Sequence, residues 1–152
     1  MLWVPSEIDV RVPSDSMSYG KPLLNTHEAR YFDLLEERCQ GYCRIVPKPC
    51  PTGFLQHRVS DWKSTQQSRQ KAVDFLLCRH ADWLPMVAVE LINSPADADL
   101  YPVRDLFVTS LLLVADLPLV RVEVSDIENA DRWMRKLAEA WANRERSIKN
   151  HP

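Results

Sequence analysis

Long apolar runs are missing from this chain of 152 residues. The most apolar stretch, Leu106 to Leu119, is interrupted by Thr109, Ser110, Asp116 and Pro118. It falls short of the roughly 20 apolar residues that a membrane-spanning helix needs. The first residues, MLWVPSEIDV, lack the basic start and apolar core of a secretion signal. Both absences predict a cytoplasmic chain with no membrane partner. A surplus of one charge is also missing. The net charge of −2 argues against a surface coated in positive charge for non-specific nucleic-acid binding, and leaves room only for a local basic groove. Paired C-x2-C knuckles are absent from the four cysteines, Cys39, Cys43, Cys50 and Cys78. A loose set of Cys39, Cys43 and Cys50 with His57 or Cys78 as a fourth ligand can be drawn, but its spacing is not that of a zinc site, and no zinc is expected. Cys39 on an apolar stripe and Cys78 in an apolar run read instead as small buried thiols. The histidines His27, His57, His80 and His151 show no ligand spacing. There is no internal repeat and no low-complexity tract.

What is present is the balance of one folded domain: 45% hydrophobic and 26% charged residues. Residues 1–22, with Pro5, Pro13, Gly20 and Pro22, read as an extended N-terminal arm. Residues 23–150 read as a single domain. Asn25 and Glu28 have the spacing of a capping box. Phe32, Leu35 and Cys39 follow as a helical stripe that Gly41 ends. Tyr42 to Val46 reads as a strand stopped by Pro47, Pro49 and Pro51. Residues 53–59 read as strand or loop, and residues 60–70 as a polar surface loop. Ala72 to Cys78 and Leu84 to Ile92 are two short apolar runs joined by the polar link RHAD, the pattern of a hairpin. Val103 to Ala115 is apolar almost all round and predicts a helix buried against a sheet. Another strand, PLVRVEV, starts at Pro118. Asn129 to Arg146 carries Trp133, Leu137 and Trp141 on one face of an amphipathic helix. Its basic end, Arg144, Arg146 and Lys149, complements the helix dipole. The helix–strand crossover before the last strand predicts a mixed sheet.

Two residues do not belong in such a core. Asp74 and Glu90 each sit inside an apolar strand, where a carboxylate must be paired, hydrogen-bonded, protonated or bound to a metal. A hairpin symmetric about Asp82 sets them face to face, with Cβ atoms about 5 Å apart. A slip of one residue would send them to opposite faces. Two carboxylates so close need a cation between them or a raised pKa. A divalent ion is one solution. Arg104 or Arg121 as neutralising partner is the other. Glu28 is a third carboxylate, either turned inward toward the sheet or serving only as the cap partner of Asn25.

These pieces, in this order, resemble the PD-(D/E)XK nuclease superfamily, and most closely the bacterial domain-of-unknown-function family 2726. The matching segments are LLNTHEARYFDLLEE, KAVDFLLC, VAVEL and VRDLFVTSLLLVADLPLVRV, within residues 23–122. The resemblance implies an α/β fold, a restriction-endonuclease-like αβββαβ core with a mixed central sheet flanked by helices, followed by a C-terminal helix. It implies a metal-dependent phosphodiester hydrolase acting on DNA or RNA. Asp74 and Glu90 would bind Mg2+ or Mn2+, and Glu28 would assist from the first helix. Family members usually place a lysine two residues after the strand glutamate, or an aspartate followed by a downstream histidine. Here that position is Ile92, and the following loop, NSPADADLYP, has no histidine.

Two functions follow. The first is the nuclease, with Lys71, Arg104 and Arg121 as candidate nucleic-acid contacts and Lys71 or Arg104 as a relocated catalytic cation. The alternative is a catalytically inactive nuclease-fold protein that binds nucleic acid or a protein partner, its carboxylates locked by arginine. Trp133 and Trp141 read as core residues. Trp3, Trp62 and Trp83 fall in predicted loops or tails, where they could stack on bases or pack locally. The last helix or the N-terminal arm could also serve as a homodimer contact.

Overall fold

The computed structural model describes residues 20–55, 73–94 and 103–151, with the side chains of residue 52 and residues 103–108 left aside. The first helix, α1 (Thr26–Arg38), begins at a complete capping box. The Asn25 Oδ1 accepts the Glu28 N–H, and Glu28 Oε2 accepts the Asn25 N–H, both at 2.9 Å. After Gly41, which takes a positive φ of 78°, the chain enters β1 (Cys43–Pro47) and then a single helical turn, α2 (Pro51–Phe54). That turn occupies the start of the segment expected as strand or loop, because Pro51 presets the first helical φ; residues 56–59 lie outside the described residues. The chain continues through β2 (Phe75–Arg79), β3 (Pro85–Ile92), α3 (Val103–Val114), β4 (Leu119–Glu123), a 3-10 turn at Val124–Asp126, and α4 (Ala130–Asn150). The last helix runs four residues past the expected Arg146.

The four strands form one mixed sheet in the order β1-β2-β3-β4. The first two pairings are antiparallel and β3–β4 is parallel, with α3 lying in the connection that a parallel pair requires. In the β2–β3 hairpin, Phe75 faces Val89, Leu76 faces Ala88 and Leu77 faces Val87. Each pair is equidistant from Asp82, the symmetry expected from the sequence. Nearer the turn the register shifts between Leu77 and Cys78, and Cys78 faces Pro85. At the other, open end the unshifted register runs on toward Asp74 and Glu90.

Strand alternation divides the core in two. Phe75, Leu77, Val87, Val89, Val120 and Val122 pack with Tyr31 and Leu35 of α1 and Trp133 and Leu137 of α4. Leu76, Cys78 and Ala88 point the other way, toward Leu112 and Leu117. Trp133 anchors the larger core. It is edge-on to Tyr31 at 4.9 Å and donates its indole N–H to the Ile127 carbonyl at 2.9 Å. Trp141 is only half-buried and donates to Glu145 at 3.1 Å. Helix α3 departs from its expected burial: Leu112 is buried, but Leu113 and Val114 are 78% and 88% exposed. One face of the helix meets the sheet, and nothing among the described residues covers the other. The C-terminal end of α3 is closed by Arg144, which donates to the Ala115 and Asp116 carbonyls at 3.3 and 2.9 Å. The basic end of α4 thus serves a neighbouring helix terminus as well as its own. No helix among the described residues is long and apolar enough to cross a membrane. The expected arm falls outside the described residues up to residue 19.

Candidate functional site

The open end of the β2–β3 hairpin meets the N-terminus of α1 and the end of β1. A polar cavity of about 260 Å³ lies there, lined by Asn25, His27, Glu28, Asp74, Glu90 and Asn93, with Leu91 and Val124. All three carboxylates singled out from the sequence therefore face one cavity. Glu28, 8% exposed, is the one buried charged residue among those described. It is the N3 residue of α1 and shares the buried side of that helix with Tyr31 and Leu35. The two roles weighed for it are both filled: Oε2 closes the capping box, and Oε1 accepts from the Lys48 ammonium.

Asp74 is held from three directions. Its Oδ2 accepts the Leu91 N–H at 2.8 Å, its Oδ1 accepts from Lys48 Nζ at 2.9 Å, and its carbonyl accepts the Lys48 N–H at 2.9 Å. Glu90 lies beside Arg121 in the parallel β3–β4 register, and its Oε2 accepts from Arg121 Nε at 3.1 Å. The same guanidinium reaches Thr109 Oγ1 of α3 at 3.4 Å. Of the two arginines expected to neutralise the pair, Arg121 takes Glu90 alone. The side chain of Arg104 and the whole of Lys71 lie outside the described residues.

Lys48 is the residue that sequence reasoning missed. It sits between Pro47 and Pro49, a segment read only as the stop of a strand. The prolines carry the signal in retrospect. Lys48 has a φ of 48°, a left-handed conformation that costs a β-carbon-bearing residue roughly 1–3 kcal/mol and gathers at functional sites. A residue before proline is also disfavoured in helical conformations. The strained turn aims the ammonium back under the sheet, where it bridges Glu28 and Asp74. The site thus has a lysine, delivered from the end of β1 instead of position 92. Ile92 itself is buried in the sheet. His27, given no chemistry from its spacing, also lines the cavity.

The electrostatics follow from these contacts. Burial works to raise the Glu28 carboxyl, but the Lys48 ammonium and the Asn25 N–H outweigh it and hold the group below its ordinary value. Burial works to lower the Lys48 ammonium, and Asp74 and Glu28 outweigh it, so its pKa is raised. Among the described residues, the three carboxylates are paired with two cations, Lys48 with Glu28 and Asp74, and Arg121 with Glu90. Among the described residues no three His, Cys, Asp or Glu side chains are placed to hold an ion together. The donors nonetheless suit magnesium in kind: it prefers hard oxygen ligands, and one or two carboxylates suffice where substrate phosphates and water complete the shell. Asp74 and Glu90 are two such carboxylates on one polar cavity.

Elsewhere, Trp83 is exposed beneath Arg44, whose guanidinium lies 4.4 Å from the ring centroid. It is packed locally by a cation–π contact. Trp3 and Trp62 lie outside the described residues. Cys39 and Cys78 are buried free thiols.

No curated protein and no solved structure matches this chain. The family model described as "Protein of unknown function (DUF2726)" matches residues 20–140, which include α1, all four strands and the whole carboxylate–lysine cluster, and the chain belongs to that family.

Proposed function

We propose that this protein is a metal-dependent phosphodiester hydrolase of the PD-(D/E)XK type, built on a restriction-endonuclease-like αβββαβ core and acting on DNA or RNA. The observation that carries the reading is the convergence of Glu28, Asp74 and Glu90 on one polar cavity, with the Lys48 ammonium bridging Glu28 and Asp74. The order of elements and the mixed sheet agree with it. Asp74 and Glu90 would hold Mg2+ or Mn2+, with Glu28 assisting. Bound there, the ion supplies Lewis-acid polarisation of a phosphate oxygen and a water made nucleophilic at neutral pH.

The chain's own residues supply the rest. Arg121 fixes the Glu90 carboxylate from the neighbouring strand. The Leu91 N–H fixes one oxygen of Asp74 and leaves the other directed at Lys48. Lys48 supplies the positive charge that would stabilise charge developing on a phosphate oxygen, in place of the lysine missing at position 92. The test is incubation of the purified chain with labelled single- and double-stranded DNA and RNA, with Mg2+ or Mn2+ and with chelator. The reading expects metal-dependent cleavage that disappears in Asp74→Ala. No cleavage of any substrate by a folded wild type counts against it.

A second reading rests on the same ion pairs. Each carboxylate of the cluster accepts from Lys48 or Arg121, which is also what a site retired from catalysis would look like. That protein would bind nucleic acid or a protein partner without chemistry. Retained binding of labelled nucleic acid, unaffected by chelator and by Asp74→Ala, would favour it.

A further inference from the structure

We infer that Lys48 is a built-in cation that a divalent ion must displace: its ammonium occupies the Asp74 oxygen that the Leu91 N–H leaves open until an ion takes that oxygen and drives the lysine out. The inference rests on the metal-binding part of the reading above and adds a competition that the reading does not contain.

The groups around Asp74 differ in which of them can move. The Oδ2 of Asp74 is held by the Leu91 N–H of β3 at 2.8 Å. It cannot be released without disturbing the end of the sheet. The remaining oxygen, Oδ1, is the one that Lys48 Nζ holds at 2.9 Å. A divalent ion on Asp74 would stand beside that ammonium in a partly buried site, where water screens their repulsion poorly. Glu28 stays where it is, because its other oxygen is fixed by the Asn25 N–H. Glu90 is fixed by Arg121. The backbone of Lys48 is fixed as well, by its N–H to the Asp74 carbonyl and by the flanking prolines.

What remains free to move is the four-carbon stem of Lys48, a flexible side chain carrying a compact charge. It is 26% exposed, so a path to solvent is open. Displacement would couple two events. The lysine becomes available to a substrate phosphate only once the ion is in place, and the metal-free protein keeps Glu28 and Asp74 paired with an ammonium.

The test is calorimetric titration of Mn2+ into the wild type, Lys48→Met and Lys48→Arg. Lys48→Met, with the stem kept and the charge removed, is expected to bind Mn2+ at least tenfold more tightly than the wild type. Lys48→Arg, with the charge kept, is expected to show no such gain. Equal or weaker binding by a folded Lys48→Met overturns the inference. If that variant does not fold, trace acetylation of the wild type decides. Labelling of Lys48, read by peptide mass spectrometry, should rise several-fold on saturation with Mn2+ while labelling of exposed Lys149 stays constant; an unchanged Lys48 overturns the inference. Tighter binding by Lys48→Met without any cleavage by the wild type would sustain the inference and sink the hydrolase reading. Cleavage by the wild type with no gain in Lys48→Met would do the reverse.

Discussion

Replacing Lys48 by Met should destabilise the metal-free protein by about 2–3 kcal/mol. The figure comes from the exposures of the three partners. The side chains of Lys48, Glu28 and Asp74 are 26%, 11% and 17% exposed. Breaking one side of a fully buried pair costs about 3–5 kcal/mol, and an exposed pair is worth about 0–1 kcal/mol. This lysine lies between those limits and strands two carboxylates when removed. In a chain of this size the loss corresponds to a fall in Tm of roughly 5–10 °C, measurable by urea or thermal denaturation.

The pH dependence has a definite sign. The folded Glu28 carboxyl lies below its ordinary 4.5, so its contribution is present above that value and lost as the pH falls through the folded pKa. The folded Lys48 ammonium lies above its ordinary 10.5, so its contribution is full below that value and lost as the pH rises through the folded pKa. The gap between wild type and Lys48→Met should therefore be widest between those limits and close toward both. A gap below about 0.5 kcal/mol, or one that does not change from neutral pH to pH 4, would refute the reasoning.

Other substitutions probe the supports of the site. Asn25→Ala removes the cap acceptor of α1 and should cost about 1 kcal/mol in denaturant unfolding. Trp133→Ala empties a position that is 1% exposed and should cost about 3–5 kcal/mol; a loss under 1 kcal/mol would mean the two helices and the sheet are not packed as described. In the β2–β3 turn, the Arg79 guanidinium and the Leu84 N–H hold the exposed Asp82 carboxyl at about 2. Its NMR titration should show that midpoint and move toward the ordinary 3.8 in Arg79→Gln.

The parts of this molecule built from short apolar runs or a helical period were legible in its sequence. The short apolar runs AVDFLLC and LPMVAVELI, joined by a polar link, read as a hairpin of two buried strands, and a one-residue slip would have turned Phe75, Leu77, Val87 and Val89 away from their core. The same runs made Asp74 and Glu90 conspicuous, since an ionised group inside an apolar run demands compensation. What compensates them was not legible. Lys48 meets Glu28 and Asp74 across 20 and 26 residues of chain, through a left-handed turn between two prolines, and no periodicity announces such a turn. The pairing of Arg121 with Glu90 depends on the register of a parallel ladder. That register is set by the crossover through α3, not by a local turn. The bare end of α3 escaped notice for a related reason: an all-apolar helix conceals which face meets the sheet.

The proposed hydrolase requires Asp74 and Glu90 to form a divalent-metal site. Isothermal titration of the folded wild type with Mn2+ at neutral pH, beside a folded Asp74→Ala/Glu90→Ala double variant, tests it most directly. Saturable binding by the wild type that vanishes in the double variant is the expected result. No binding by the wild type, or binding that survives the double substitution, would contradict it.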